Sequence, residues 1–279
     1  MVGLGSFDMW VLSVAVLAVS LFFGTHQSLP PEAVDFLRWL APTDGSPSAS
    51  LVAAGFVAGV VLEASPAKLL FRYFSTAVHE LGHAFMAGAL FARPKTILIH
   101  PSSSGLATFE LSPNWGRFRS FLVSAAGYPA PSIAALAAIQ AVQLGHSQAW
   151  AVFSMAVLAI AIVLLIRNFW GFFWTTGVVV GSYFVLKMVS AEWVGIAVAG
   201  IAGFLAMNGI EFAQIQRQLV RQAPGSGVDA EAISHVTGLP PRLVALGHLL
   251  VCMGISGAAG YFAIQPYWFE IQNWATNLI

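Results

Sequence analysis

Charge is what this chain has least of. Twelve Lys and Arg and twelve Asp and Glu make up 9% of its 279 residues and cancel to a formal net charge of zero. A soluble domain carries about 25% charged residues, so the composition argues against a solvated globule. There is no basic block, which argues against nucleic acid as a partner. Cysteine is nearly absent too. The single Cys252 rules out an internal disulfide and a Cys-rich metal site, and leaves the redox compartment open. There is no internal repeat and no stretch that reads as a long soluble domain.

What the chain does have is apolar length. Apolar residues make up 58% of it, and mean hydropathy is +0.78. Apolar runs fall near 7–25, 51–64, 68–91, 119–144, 149–166, 169–189, 193–210 and 243–264. Most approach the roughly 20 residues needed to cross a bilayer; the run 51–64 is short enough to be re-entrant or simply packed. No Lys or Arg precedes the first run, and its length is that of a spanning helix, so it is expected to be retained rather than cleaved as a signal peptide. The expected fold is an all-α polytopic membrane protein of about seven to eight spans. Its parts would be N-terminal helices with an acidic loop (1–66), a core (67–210), a cytoplasmic or re-entrant segment (211–242) and a C-terminal helix with its tail (243–279). Arg93, Lys95, Arg117, Arg119, Arg167, Arg217, Arg221 and Arg242 fall on one side if the spans alternate, against Lys68, Arg72 and Lys187 on the other. Short cytoplasmic loops collect Lys and Arg, so loops 92–118 and 211–242 are expected in the cytoplasm.

The segment Lys95–Leu111 differs in kind. Two short strand-like runs, Ile97 to Ile99 and Leu106 to Leu111, flank the turn cluster Pro101-Ser-Ser-Ser-Gly105, which predicts a β-hairpin.

The chemistry concentrates just upstream, in STAVHELGHAFMAGAL (Ser75–Leu90). An ionisable residue at mid-bilayer costs about 2.5–3.5 kcal/mol on insertion scales and marks function by default. Here three stand together as His79-Glu80-Leu81-Gly82-His83. On a helix, residues four apart share one face about 6 Å apart along the axis, so both imidazoles reach one Zn²⁺. Glu80 then points to the side of the metal, where it serves as general base for hydrolysis. The plainer reading is a polar cluster that joins helices by hydrogen bonds; a Glu at this offset favours metal.

HELGHAFMA resembles the HExGHxxxA motif of the site-2 protease family, the intramembrane zinc metallopeptidases. The hairpin at 95–111 and the helix opening at Ala126-Gly127-Tyr128-Pro129 are similar to the features that follow that motif in the family. The resemblance covers about residues 68 to 240 and is to the small B-like branch without PDZ or CBS insertions. It implies one Zn²⁺ per chain, Glu80 as the catalytic residue, a lipid bilayer as the setting and a membrane-protein substrate cut in or beside a transmembrane segment. One position departs from the pattern: where the family places an Asp ligand after an Asn, Asn168 is followed by Thr176-Gly177, and Thr is a poor zinc ligand. Asp229-Ala230, followed by Thr237-Gly-Leu-Pro240, resembles a motif of the B-like branch and makes Asp229 the expected third ligand beside His79 and His83. Glu211 is the alternative, in a gluzincin-type site. A degenerate relative that binds metal or a partner without cutting is the non-enzymatic alternative. His235 is either an orienting neighbour of Asp229 or a surface residue, and Asn168 either a substrate-orienting group or a helix cap.

Overall fold

The computed structural model describes residues 47–110 and 116–276; the apolar run 7–25 lies outside them. Nine helices and one hairpin are found among the described residues, in the order α1 (Ala49–Glu63), α2 (Lys68–Ala89), β1 (Arg93–Ile99), β2 (Gly105–Glu110), α3 (Arg117–Ala126), α4 (Pro129–Gln143), α5 (Ser147–Leu164), α6 (Phe169–Met188), α7 (Ala191–Gln222), α8 (Asp229–Thr237) and α9 (Pro241–Thr276).

Four of these helices, α5, α6, α7 and α9, are long and apolar enough to cross a bilayer. The pairs α1–α2 and α3–α4 pass the same test together but are bent by 100° and 58°. Six spans at most are therefore counted among the described residues, against the seven or eight expected. One bend accounts for part of the difference, and a second breaks a run without changing the count. The runs 51–64 and 68–91 join in one broken unit, and the run 119–144 breaks where Pro129 and Pro131 open α4. Proline at the first helical position fits a new start rather than a continuation.

Helix α7 is the spine. It packs against α1, α4 and α9, and its approach to α1 is close because glycines line it. A Cβ on Gly203 would stand 2.0 Å from the Phe56 carbonyl oxygen, and one on Gly59 would stand 1.9 Å from that of Gly200. In lipid, where apolar side chains gain little by leaving their surroundings, such backbone proximity is what holds helices together. The α1–α2 elbow is pinned to the same helix by charge. Asn208 Nδ2 donates to Glu63 Oε1 at 2.9 Å, and Lys68 Nζ donates to Glu211 Oε1 at 2.7 Å.

The expected hairpin is present, and its tip folds back along α2. β1 and β2 pair antiparallel, with Ile97 opposite Ala107 and Ile99 opposite Gly105. Ile97 and Ile99 are buried with Ala77 and Ala84 of α2. At the tip, Tyr73 donates its hydroxyl to the Pro101 carbonyl and Thr76 to that of Ser103, both at 2.8 Å. The far side of β1 is occupied as well. Ile97 N–H donates to the Leu165 carbonyl at 2.8 Å, and the Ile97 carbonyl accepts from Arg167 N–H at 3.3 Å. β1 is thus bridged on its far side at Ile97–Ile166, and β2 carries the outer edge of the two-stranded sheet.

Candidate metal centre

Helix α2 places both motif histidines on one face, and their Nε2 atoms stand 3.2 Å apart. Each ring is oriented differently. His83 Nδ1 donates to the Val123 carbonyl of α3 at 2.7 Å, which leaves Nε2 as the free lone pair. An outer hydrogen bond of this kind fixes the tautomer of a metal-binding imidazole. His79 has no such bond; its ring stands perpendicular to that of Tyr128, with centroids 4.8 Å apart at 88°.

The third group comes from a distant part of the chain. After α7, the loop at Ala223–Val228 turns on Gly225 and Gly227, both in the left-handed region at φ 84° and 75°. Glu231 accepts the N–H groups of both, at 2.7 and 2.8 Å, and so ties the loop to the first turn of α8. Asp229 opens that helix, which lies against α3. Its Oδ2 stands 3.1 Å from His83 Nε2 and 3.5 Å from His79 Nε2.

These distances test whether a metal fits. Ligand atoms at about 2.0–2.2 Å around a tetrahedral zinc are separated by roughly 3.3 Å from one another. The triangle of 3.1, 3.2 and 3.5 Å has that size. Asp229 Oδ2 is also buried without an aligned hydrogen bond, although two imidazole nitrogens lie near it. Three electron-pair donors that face one point rather than one another suit a cation. Among the described residues this is the one His/Cys/Asp/Glu group with the spacing to hold a metal ion.

Glycines shape the space around it. A Cβ on Gly127 would stand 2.2 Å from His83 Nε2 and 2.8 Å from His79 Cε1. The bend between α3 and α4 therefore brings bare backbone against both rings. Glu80, 5% exposed, lies on the hairpin instead: a Cβ on Gly105 would stand 2.3 Å from its Oε1.

A family model described as Peptidase M50B-like matches residues 52–259. The chain belongs to that family. It is a site-2 protease family, whose members are zinc-dependent membrane metalloproteases. No curated protein and no solved structure matches the chain.

In this M50B-like chain the other residues singled out from sequence are placed as follows. Thr176 sits in α6 with its hydroxyl buried and unpaired. Glu211 is engaged by Lys68 at 2.7 Å and by Arg72 at 3.8 Å, and it is not in the metal-spaced group. His235 is exposed. Asn168 occupies the N-cap position of α6 without capping it. Its side chain serves β1, accepting from Ile99 N–H at 3.1 Å and donating to the Ile99 carbonyl at 2.6 Å. Sequence reading did not find the Val123 carbonyl, because a backbone acceptor leaves no residue signal. His248, without ligand spacing in the sequence, lies behind Tyr128.

Proposed function

We propose that this chain is an intramembrane zinc protease that hydrolyses a peptide bond in or next to a transmembrane segment of a membrane-protein substrate. One observation carries the reading: His79, His83 and Asp229 converge on a zinc-sized triangle while Glu80, beside them in sequence, lies against the outer strand of the hairpin.

His79 and His83 would hold the metal through Nε2 and Asp229 through its carboxylate. A zinc ion there supplies Lewis acidity, polarising a peptide carbonyl and making water a competent nucleophile near neutral pH. The remaining work falls to the chain. Glu80 takes a proton from the attacking water as the new C–O bond forms, then passes it to the leaving nitrogen as the C–N bond breaks.

The hairpin supports a way of presenting substrate. The N–H and C=O of Ile97 and Ile99 point away from β2, so with Ile97 opposite Ala107 those of Gly105 and Ala107 point outward. The Ala107 N–H is directed at Glu80. A substrate segment unwound from its helix and added as a further strand to β2 would run past the general base. Unwinding is required because a helical carbonyl is already hydrogen-bonded.

The same reading takes each bent pair as one span, which gives six among the described residues. It sets loops 92–118 and 211–242 in the cytoplasm, on the Lys and Arg distribution. The test is Glu80→Gln, assayed on a labelled library of transmembrane peptides with helix-breaking residues. We expect zinc retained and cleavage reduced at least about 100-fold. Substantial residual cleavage would remove Glu80 from the mechanism.

A further inference from the structure

The two imidazoles of the metal centre are supported unequally. His83 is fixed by the Val123 carbonyl. His79 Nδ1 is buried with no hydrogen-bond partner, so no outer hydrogen bond fixes the plane of that ring. Its neighbours are aromatic: Tyr128 at 4.8 Å and 88°, and Phe212 at 6.3 Å and 75°.

Tyr128 is itself held in place. Its ring lies flat on that of His248 in α9, with centroids 5.2 Å apart at 19°. His248 Nδ1 donates to Gln216 Oε1 of α7 at 2.9 Å. The Tyr128 hydroxyl faces the same Gln216, and its carbonyl accepts from Cys252 Sγ, one turn beyond His248, at 3.4 Å. Gln216 is fully buried and His248 nearly so. A polar pair buried between α7 and α9 costs desolvation that two leucines would not. What the pair adds is direction: a hydrogen bond sets the plane of the His248 ring, and leucines would pack without setting any plane.

We propose that Tyr128, His248 and Gln216 are positioning residues for His79, a chain of contacts from α7 and α9 that sets the imidazole plane where His79 Nδ1 lacks a hydrogen bond. This rests on the metal-site reading above. It gives α9 a part in the site that none of its residues plays by direct ligation. The bland competitor is helix glue, in which the Gln216–His248 bond only joins α7 to α9.

The test uses the full chain in detergent, with zinc affinity measured against a competing chelator and the absorption spectrum recorded after cobalt replaces zinc. Outer partners of metal ligands are worth about 10–100-fold in affinity. Tyr128→Leu is expected to lose that much and to shift the cobalt bands, while Tyr128→Phe, which keeps the ring, loses no more than roughly threefold. Gln216→Leu should weaken binding alone but add little in the Tyr128→Leu background, because both act through one ring. If Tyr128→Leu does not fold, the order His248→Leu worse than His248→Phe decides, since only Phe keeps a flat ring beneath Tyr128. Wild-type affinity and an unchanged spectrum in Tyr128→Leu, equal affinities for the two His248 variants, or full additivity in the double variant would overturn the proposal. A lower melting temperature with unchanged affinity would do the same and leave helix glue. If the wild type binds no zinc, the protease reading fails with it; if zinc is bound and His83→Ala loses it while Tyr128→Leu does not, only the positioning role is lost.

Discussion

Two glycines separate the tasks of the site. Gly127 leaves room for the imidazoles and Gly105 for Glu80, each with a hypothetical Cβ inside 2.5 Å of the side chain it faces. Neither can be replaced without moving that side chain, since contacts this short do not survive in a packed interior. Gly127→Ala is expected to weaken zinc binding by at least about tenfold. Gly105→Ala should keep zinc and lose cleavage by about 100-fold or more. Metal analysis and peptide cleavage on the same preparations check both; wild-type cleavage in Gly105→Ala would mean that Glu80 does not work from that position. At this scale the sequence was partly legible. His79, Glu80 and His83 were readable because helical spacing alone puts them together. Asp229 was reached through a resemblance, because 146 positions separate it from His83 and no local rule spans that distance. Gln216 and His248 were invisible: Gln216 is one of several polar residues in the tail of α7, and its partner lies on another helix.

Elements were more legible than their joints. The hairpin announced itself through Pro101 to Gly105, because Pro and Gly fix turns by their own backbone preferences. The role of Asn168 did not. Its position before α6 suggested a cap, yet its amide takes both backbone groups of Ile99, groups that would cost about 1–3 kcal/mol each if buried unpaired. The strand-like stretch at Leu165–Arg167 was equally hidden, being too short for a pattern. Helix α7 runs to Gln222, well past the polar boundary near 211, because Gln, Arg and Leu in that tail are good helix formers. Its end carries Arg217 and Arg221, and α9 begins with Pro241 and Arg242. If these ends face the cytoplasm, a cysteine introduced as Arg221→Cys should react with a membrane-impermeant maleimide in inverted vesicles and stay unlabelled in intact cells. The native thiol will not interfere, since Cys252 is fully buried. Labelling in intact cells would invert the topology.

At the scale of the described molecule, the candidate metal centre is where distant pieces of the helical bundle meet. α2 brings the motif, the hairpin brings backbone to Glu80, the α3–α4 bend brings Gly127 and Val123, and α8 brings Asp229. Composition and apolar runs predicted the bundle because hydropathy is a local sum. They could not predict that two helix pairs would be bent at short breaks, since each bend depends on what the broken ends meet. The convergence is also what a measurement can address most directly. Elemental mass spectrometry of the purified chain should find one zinc per wild-type chain, and none in His79→Ala or Asp229→Ala. Zinc retained at full occupancy in Asp229→Ala, or no metal in the wild type after zinc is supplied, would contradict the centre described here.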